Sequence, residues 1–351
     1  MTEIMSRISD VGILPIITID EPLDAIPIGQ ALYDGGIPIV VITFRNDVGA
    51  QCIDLISKAI PDMLVGAGTV LTESQVDEAI EAGAKFFTSP AVNHKVISYC
   101  NEKGVPIFPG AATPNNIEDA LTLGLTHLEF FPAEYNGGIE GLRAISAPYP
   151  KADFMVLGGV NNDNVVKYLD DPRVFAVAGD WFIKEEWIRF KDYEMIESST
   201  REAVRTILDF EIDHIGLNFP KEDNALYSAE EFAELFGYDV KKTHDETGFF
   251  VGSFFETMKP GSIGTLGHIA INTNSVERAK AHLEMKGLGF DETMTEYLDN
   301  GRLRHVVLDK EIGGFAIQII RKDATKGRGE LVYSGIHPQS LDLQIEELLN
   351  L

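Results

Sequence analysis

The sequence is short of sulfur, indole and positive charge. Two cysteines, Cys52 and Cys100, in 351 residues give neither a disulfide framework nor a Cys-based metal pair, and they fit a reducing compartment. Lys and Arg number 29 against 55 Asp and Glu, a formal net charge of −26, and acids outnumber bases on both sides of position 210. Such a surface repels phosphate backbones and anionic lipid, which argues against nucleic-acid and membrane-surface work. There is no run of 18 apolar residues and no basic start followed by a long apolar stretch, so a cytoplasmic protein is expected. No organic cofactor motif is evident. What remains is ordinary for a globular chain: 44 % hydrophobic and 24 % charged residues, in a length suited to one large or two medium domains.

The first 205 residues alternate short β-branched runs with helix-length amphipathic stretches. Eight runs are predicted as strands, over 14–19, 38–44, 63–68, 85–89, 106–109, 127–131, 154–157 and 174–178. Each is followed by a loop and a helical segment, as at Thr72-Glu73-Ser74-Gln75, where Thr72 can cap the helix and Gln75 can complete a capping box. Eight βα units in this length predict an α/β fold, a (β/α)8 TIM barrel over residues 1–209. In such a barrel the chemistry sits where strands end, which singles out Arg45, Thr69, Ser89-Pro90, Pro109-Gly110, Glu129, Gly158-Gly159 and Gly179-Asp180.

Past Arg205 the texture changes. Ile212-Asp213-His214-Ile215-Gly216-Leu217-Asn218 and Leu266-Gly267-His268-Ile269-Ala270-Ile271-Asn272 are similar passages 54 residues apart, and each leads into a helical stretch and then short strands. The expectation is an α+β domain of two βαβββ modules over 210–322. A tail over 323–351 follows, with a Gly-rich turn at 326–329 and a terminal helix at 340–349.

Val65-Gly66-Ala67-Gly68-Thr69-Val70-Leu71, Ser89-Pro90, Ile107-Phe108-Pro109-Gly110, Phe130-Phe131-Pro132-Ala133-Glu134 and Leu157-Gly158-Gly159-Val160 occur in order at consistent spacing. In these motifs the chain resembles the 2-keto-3-deoxy-6-phosphogluconate / 4-hydroxy-2-oxoglutarate aldolases. The resemblance implies a homotrimeric carbon–carbon lyase for a small 2-keto acid, working through a strand-six lysine imine with a strand-two glutamate as proton shuttle. The strand-end residues Thr69, Pro90, Gly110 and Thr113 are candidate substrate contacts, with ordinary strand-end hydroxyls the alternative for the two threonines, and Gly158-Gly159 is either an anion cradle of backbone N–H groups or a plain turn. Three positions depart from the family pattern. Glu129 stands where the imine lysine precedes Phe-Phe-Pro-Ala-Glu, Val41 where the glutamate falls, and Asp180 where the family's Gly-Ser has serine. A carboxylate cannot form an imine, so metal or general-base enolate chemistry is expected in its place. Period-two alternation puts Glu129 on one face of strand six and Arg45 on the Val41–Thr43 face of strand two. Two readings stay open: Glu129, with Asp180, as base or metal ligand beside an Arg45 that grips the substrate carboxylate, or a buried Glu129–Arg45 pair filling a retired site. His127, on the same face as Glu129, is expected to be a satisfied core histidine.

The duplicated modules resemble the vicinal oxygen chelate superfamily, to which glyoxalase I belongs, with Gly267-His268-Ile269-Ala270-Ile271 the most characteristic piece. That resemblance implies four metal ligands, His214 and Glu256 from the first module and His268 and Gln318 from the second, a set suited to Zn, Ni, Co, Mn or Fe. The alternative for the whole chain is a non-catalytic barrel serving as a trimer-forming scaffold for a metal-dependent second domain.

Overall fold

A computed structural model describes residues 2–243, 246–322 and 331–334, and the chain divides into two compact units, Met1–Leu208 and Asp209–Leu351. The first unit carries eight parallel strands: β1 (Ile13–Ile17), β2 (Ile39–Thr43), β3 (Leu64–Gly68), β4 (Phe86–Ser89), β5 (Ile107–Pro109), β6 (His127–Phe130), β7 (Asp153–Leu157) and β8 (Val174–Gly179). They pair in the order β5-β4-β3-β2-β1-β8-β7-β6. A parallel bridge between Gly110 and Glu129, with the Ala111 N–H donating to the Glu129 carbonyl at 2.8 Å, draws β5 to β6 and brings the ring nearly to closure. Each predicted strand is present within one or two residues of its expected ends.

Alternate side chains fill the barrel. Leu14, Ile39, Val41, Leu64, Phe86, Phe108, Met155, Ala176 and Ala178 form one buried cluster, with Phe86 and Phe108 tilted against each other at 6.0 Å. Gly66 is required there, because a Cβ on it would lie 2.5 Å from the Phe86 ring. A helix over Thr2–Val11 precedes β1 and places Ile8, with Ile4, Met5 and Val11 around it, in that same interior cluster. One end of the barrel is therefore sealed with apolar side chains. The predicted Thr72 cap forms, its Oγ1 accepting from the Gln75 N–H, while the Gln75 amide oxygen accepts from the Leu71 N–H, one residue ahead of the cap, where a capping box would use the Thr72 N–H.

The second unit is a nine-stranded sheet. β9 (Glu211–Asn218), a helix (Glu222–Phe236), β10 (Asp239–Lys242), β11 (Gly248–Val251) and β12 (Phe255–Met258) make the first βαβββ module. β13 (Gly267–Thr273), a helix (Val276–Met285), β14 (Glu296–Tyr297), β15 (Leu303–Val307) and β16 (Phe315–Arg321) repeat it. The order is β14-β15-β16-β13-β9-β12-β11-β10-β17, so the modules join through the antiparallel pair β9/β13. Ala225, Ala229 and Ala233 let the first helix approach Val240, Phe249 and Val251 closely, which buries one face of its half-sheet and leaves the opposite face for Phe250 and Glu256. The expected division at residue 322 needs correction, because β17 (Leu331–Ser334) pairs with β10 as an edge strand of this sheet. The expected turn at 326–329 and helix at 340–349 lie outside the described residues.

Candidate functional site

In the barrel, Glu129 sits on the inner face of β6 between the bridge to Gly110 and the pairing with Met155, and it is 2 % exposed. Its Oε1 is buried with no hydrogen-bond partner, and no ion pair to it occurs among the described residues. Burial alone pushes its carboxyl up to about 8, so it holds a proton at neutral pH. The expected Glu129–Arg45 pair is absent among the described residues. β2 ends at Thr43, and Arg45 lies beyond Phe44 in the following loop as an exposed residue, so strand alternation no longer directs its side chain inward. Asp180, directly after β8, is also exposed. His127, expected in the core, is half-buried at the start of β6. Its ring meets Phe175 edge-on at 5.4 Å, Nδ1 lies 3.2 Å from the Thr126 hydroxyl, and burial lowers its pKa.

The remaining strand-end residues divide by what their atoms touch. Thr69 holds a left-handed backbone at φ 56°, a conformation that costs a β-branched residue about 1–3 kcal/mol and marks the mouth as strained. Gly110 is glycine for a packing reason, since a Cβ there would lie 2.3 Å from the Pro90 carbonyl oxygen. Pro90 itself is exposed. Thr113 spends its hydroxyl on capping the helix Pro114–Thr122, accepting from the Asn116 N–H and donating to the Asn116 side chain at 2.7 Å. Gly158 and Gly159 have φ of 99° and 87° and lie against Pro132 and Glu134, while the Glu134 carboxylate accepts from Asn164 Nδ2 and from the Tyr168 hydroxyl. The sequence reading overlooked the hydroxyls inside the mouth. Thr18 and Thr43 share a 2.8 Å hydrogen bond, and a Cβ on Gly68 would meet Val41, Thr88 and Thr43. The period-two step from Val41 to Thr43 was the available signal. All eight lysines of this unit are exposed, and Cys52 and Cys100 are buried thiols pushed up to about 11 and about 12. No helix among the described residues is long and apolar enough to cross a membrane.

In the second unit, register explains why distant residues converge. His214 pairs with Ala270, and Gly216 with His268, across the β9/β13 seam; Glu256 pairs with Gly216, and Ala270 with Gln318. Each histidine thus faces a small residue, and Glu256 and Gln318 occupy equivalent places in the two modules. The space at Gly216 is needed, because a Cβ there would lie 2.2 Å from His268 Cε1. His214, Glu256 and His268 are buried, with His214 Nε2 to His268 Nε2 at 2.9 Å and Glu256 Oε2 at 3.5 and 3.4 Å from the two nitrogens. Around a cation with bonds of about 2.1 Å, ligand atoms lie about 3.0 Å apart in an octahedron and about 3.4 Å apart in a tetrahedron, so these three donors have the spacing to hold a divalent ion. They open into a cavity of about 480 Å³ that Gln318 also lines, with Phe250, Met258 and Val307 among its apolar walls. His305 lines the cavity too; burial holds it below the usual imidazole range, and Glu296 Oε2 lies 3.6 Å away.

Eight parallel strands alternating with helices around a nearly closed ring define the class of the first unit as an α/β barrel of the TIM type. The match to the KDPG and KHG aldolase family runs over residues 4–199, and the chain belongs to that family. It is 36 % identical to the 2-dehydro-3-deoxy-phosphogluconate aldolase of Treponema pallidum over 59 % of this chain and 99 % of that protein. It is 34 % identical to the KHG/KDPG aldolase of Escherichia coli K12 over 55 % of this chain and 90 % of that one. Among solved structures it is similar to a KDPG aldolase from Legionella pneumophila with pyruvate captured as a covalent carbinolamine. There the TM-score is 0.55 and the identity 34 %, over 57 % of this chain and 97 % of that one. These relatives support an aldolase-type lyase in the first unit.

Proposed function

We propose that the barrel cleaves a small 4-hydroxy-2-keto acid through an enolate held by hydrogen bonds and not through an imine. The observation that carries this reading is Glu129, a wholly buried carboxyl directly ahead of Phe130-Phe131-Pro132-Ala133-Glu134, where the family resemblance places the amine. A carboxyl forms no imine, and none of the unit's lysines is buried in the barrel. With its proton retained at pH 7, Glu129 can donate an O–H to the 2-keto oxygen. As the C3–C4 bond breaks, its electron pair moves toward C2 and the charge gathers on that oxygen, where a donor already in place lowers the barrier. In this reading Asp180 accepts the 4-hydroxyl proton, Arg45 attracts the 1-carboxylate from the loop after β2, and Thr69 and the Gly158-Gly159 turn contact substrate. The carbon–carbon cleavage releases a carbonyl fragment, and protonation of the enolate at C3 gives a pyruvate-type product. The resemblance also implies a homotrimer, which light scattering would measure.

Borohydride reduction in the presence of pyruvate, read by intact mass, tests the reading. The expected result is no mass gain together with pyruvate release from 4-hydroxy-2-oxoglutarate that Glu129→Leu abolishes; a stable adduct on the unaltered protein would overturn it.

A second reading is favoured by the His214–Glu256–His268 cluster. It takes the second unit as a metal-dependent site of the vicinal oxygen chelate kind, with His214, Glu256, His268 and Gln318 as ligands, and the barrel as its scaffold. A divalent ion bound there would act as a Lewis acid toward a substrate oxygen. The chain's own contribution would be two neutral imidazoles, one carboxylate and a cavity that limits water. Elemental analysis of the protein and of His268→Ala decides this: loss of a bound equivalent in the variant supports it, and equal metal in both sinks it.

A further inference from the structure

We infer that Asp213 is a positioning residue that locks the His214 ring in its ligating tautomer, placed there by a β-bulge at the joint between the two modules. The inference rests on reading His214 as a metal ligand. Along β9 and β13 the pairing runs Leu217 with Gly267, Gly216 with His268, Ile215 with Ile269 and His214 with Ala270, and then steps to Ile212 with Ile271. Asp213 is the extra residue. In a regular strand it would face away from His214, because neighbours alternate between faces. The bulge cancels that alternation locally, and Asp213 lines the same cavity as His214.

The contact that results is specific. Asp213 Oδ2 lies 2.7 Å from His214 Nδ1, with the two side chains 8 % and 7 % exposed, and Asn272 Nδ2 approaches Asp213 Oδ1 at 3.5 Å. A carboxylate has no hydrogen to give, so the His214 Nδ1–H donates and the lone pair is left on Nε2, the atom that faces His268 and Glu256. A charged acceptor behind an imidazole also makes the ring a stronger ligand.

At the equivalent position of the second module stands a glycine. The residue before His268 is Gly267, at φ 135°, and a Cβ there would lie 1.9 Å from the Gly216 carbonyl oxygen, so no carboxylate can occupy that place. Two histidines equivalent in register therefore differ in the residue that precedes them, an aspartate before His214 and a glycine before His268.

Two measurements test this, with cobalt(II) as the probe metal. Chelator competition should show cobalt binding weakened 10- to 100-fold in Asp213→Ala and by less in Asp213→Asn, which keeps an acceptor oxygen without the charge. Nitrogen-15 NMR of the metal-free protein should find the His214 proton on Nδ1, moving largely to Nε2 in Asp213→Ala. Equal cobalt affinity in the parent and both variants, or a parent His214 protonated at Nε2, overturns the inference. If the parent binds no cobalt but keeps the Nδ1 proton, the metal reading falls while the tautomer lock stands. Should Asp213→Ala fold poorly, as judged by its thermal midpoint, Asp213→Asn carries both comparisons.

Discussion

Replacing Glu129 by Gln should change how the stability of the barrel responds to pH. In the unfolded chain this carboxyl ionises near 4.5, whereas in the folded barrel it keeps its proton until about 8. Between these values the native state binds one proton more than the unfolded state, so stability falls as pH rises, beginning near 4.5 and finishing near 8. At about 1.36 kcal/mol per pH unit, the loss attributable to Glu129 is about 3 kcal/mol at pH 7 and about 5 kcal/mol above pH 8. An amide does not ionise, so Glu129→Gln lacks this slope and its advantage over the parent grows steadily from about pH 5 to about pH 8. Both tryptophans, Trp181 and Trp187, lie in the first unit, so their fluorescence during urea unfolding reports the barrel. Parallel stability profiles for parent and variant would refute the claim that the carboxyl is buried without a compensating cation or donor.

Three further outcomes follow from the same geometry. Glu129→Lys should restore borohydride trapping of pyruvate, seen as one added substrate mass, and its failure would mean position 129 is not where an amine meets the keto group. Gly216→Ala drives a methyl group into the His268 ring and should cost about 1–3 kcal/mol in urea unfolding of the second unit along with its cobalt affinity; unchanged affinity would show that the ring has room to move. Glu277→Ala leaves Arg321, 3 % exposed, without the carboxylate that its Nη2 reaches at 2.6 Å, and should destabilise the second unit by about 3 kcal/mol. A loss under about 1 kcal/mol in that variant would indicate that the Leu303 carbonyl, which Arg321 Nε also meets, suffices.

The barrel was legible because each strand is a continuous apolar run bounded by turn residues, so even short strands such as Ile107–Pro109 declared themselves. The 54-residue spacing of His214 and His268 announced the duplication, and register then made Glu256 and Gln318 equivalent. Other features left no trace in the pattern. Arg45 fits the period of β2 only if the strand runs two residues further than it does. The helix Thr2–Val11 has an apolar stripe that looks the same whether it plugs a barrel or packs on its side. Asp213 was hidden most thoroughly, because a bulge adds a residue without altering composition, and a reader assuming regular alternation assigns it to the wrong face. That Glu129 Oε1 has no partner is likewise a fact of three dimensions, set by which residues the other strands send inward.

The seam between β9 and β13 reads the same in both directions: His214 meets Ala270 as Gly216 meets His268. An interface of that kind is self-complementary, as in a twofold dimer, so one ancestral module could have joined a copy of itself along this line and assembled a complete pocket from two identical halves. Within one chain the two halves are free to differ, and they do, with the carboxylate of Glu256 on one side and the amide of Gln318 on the other.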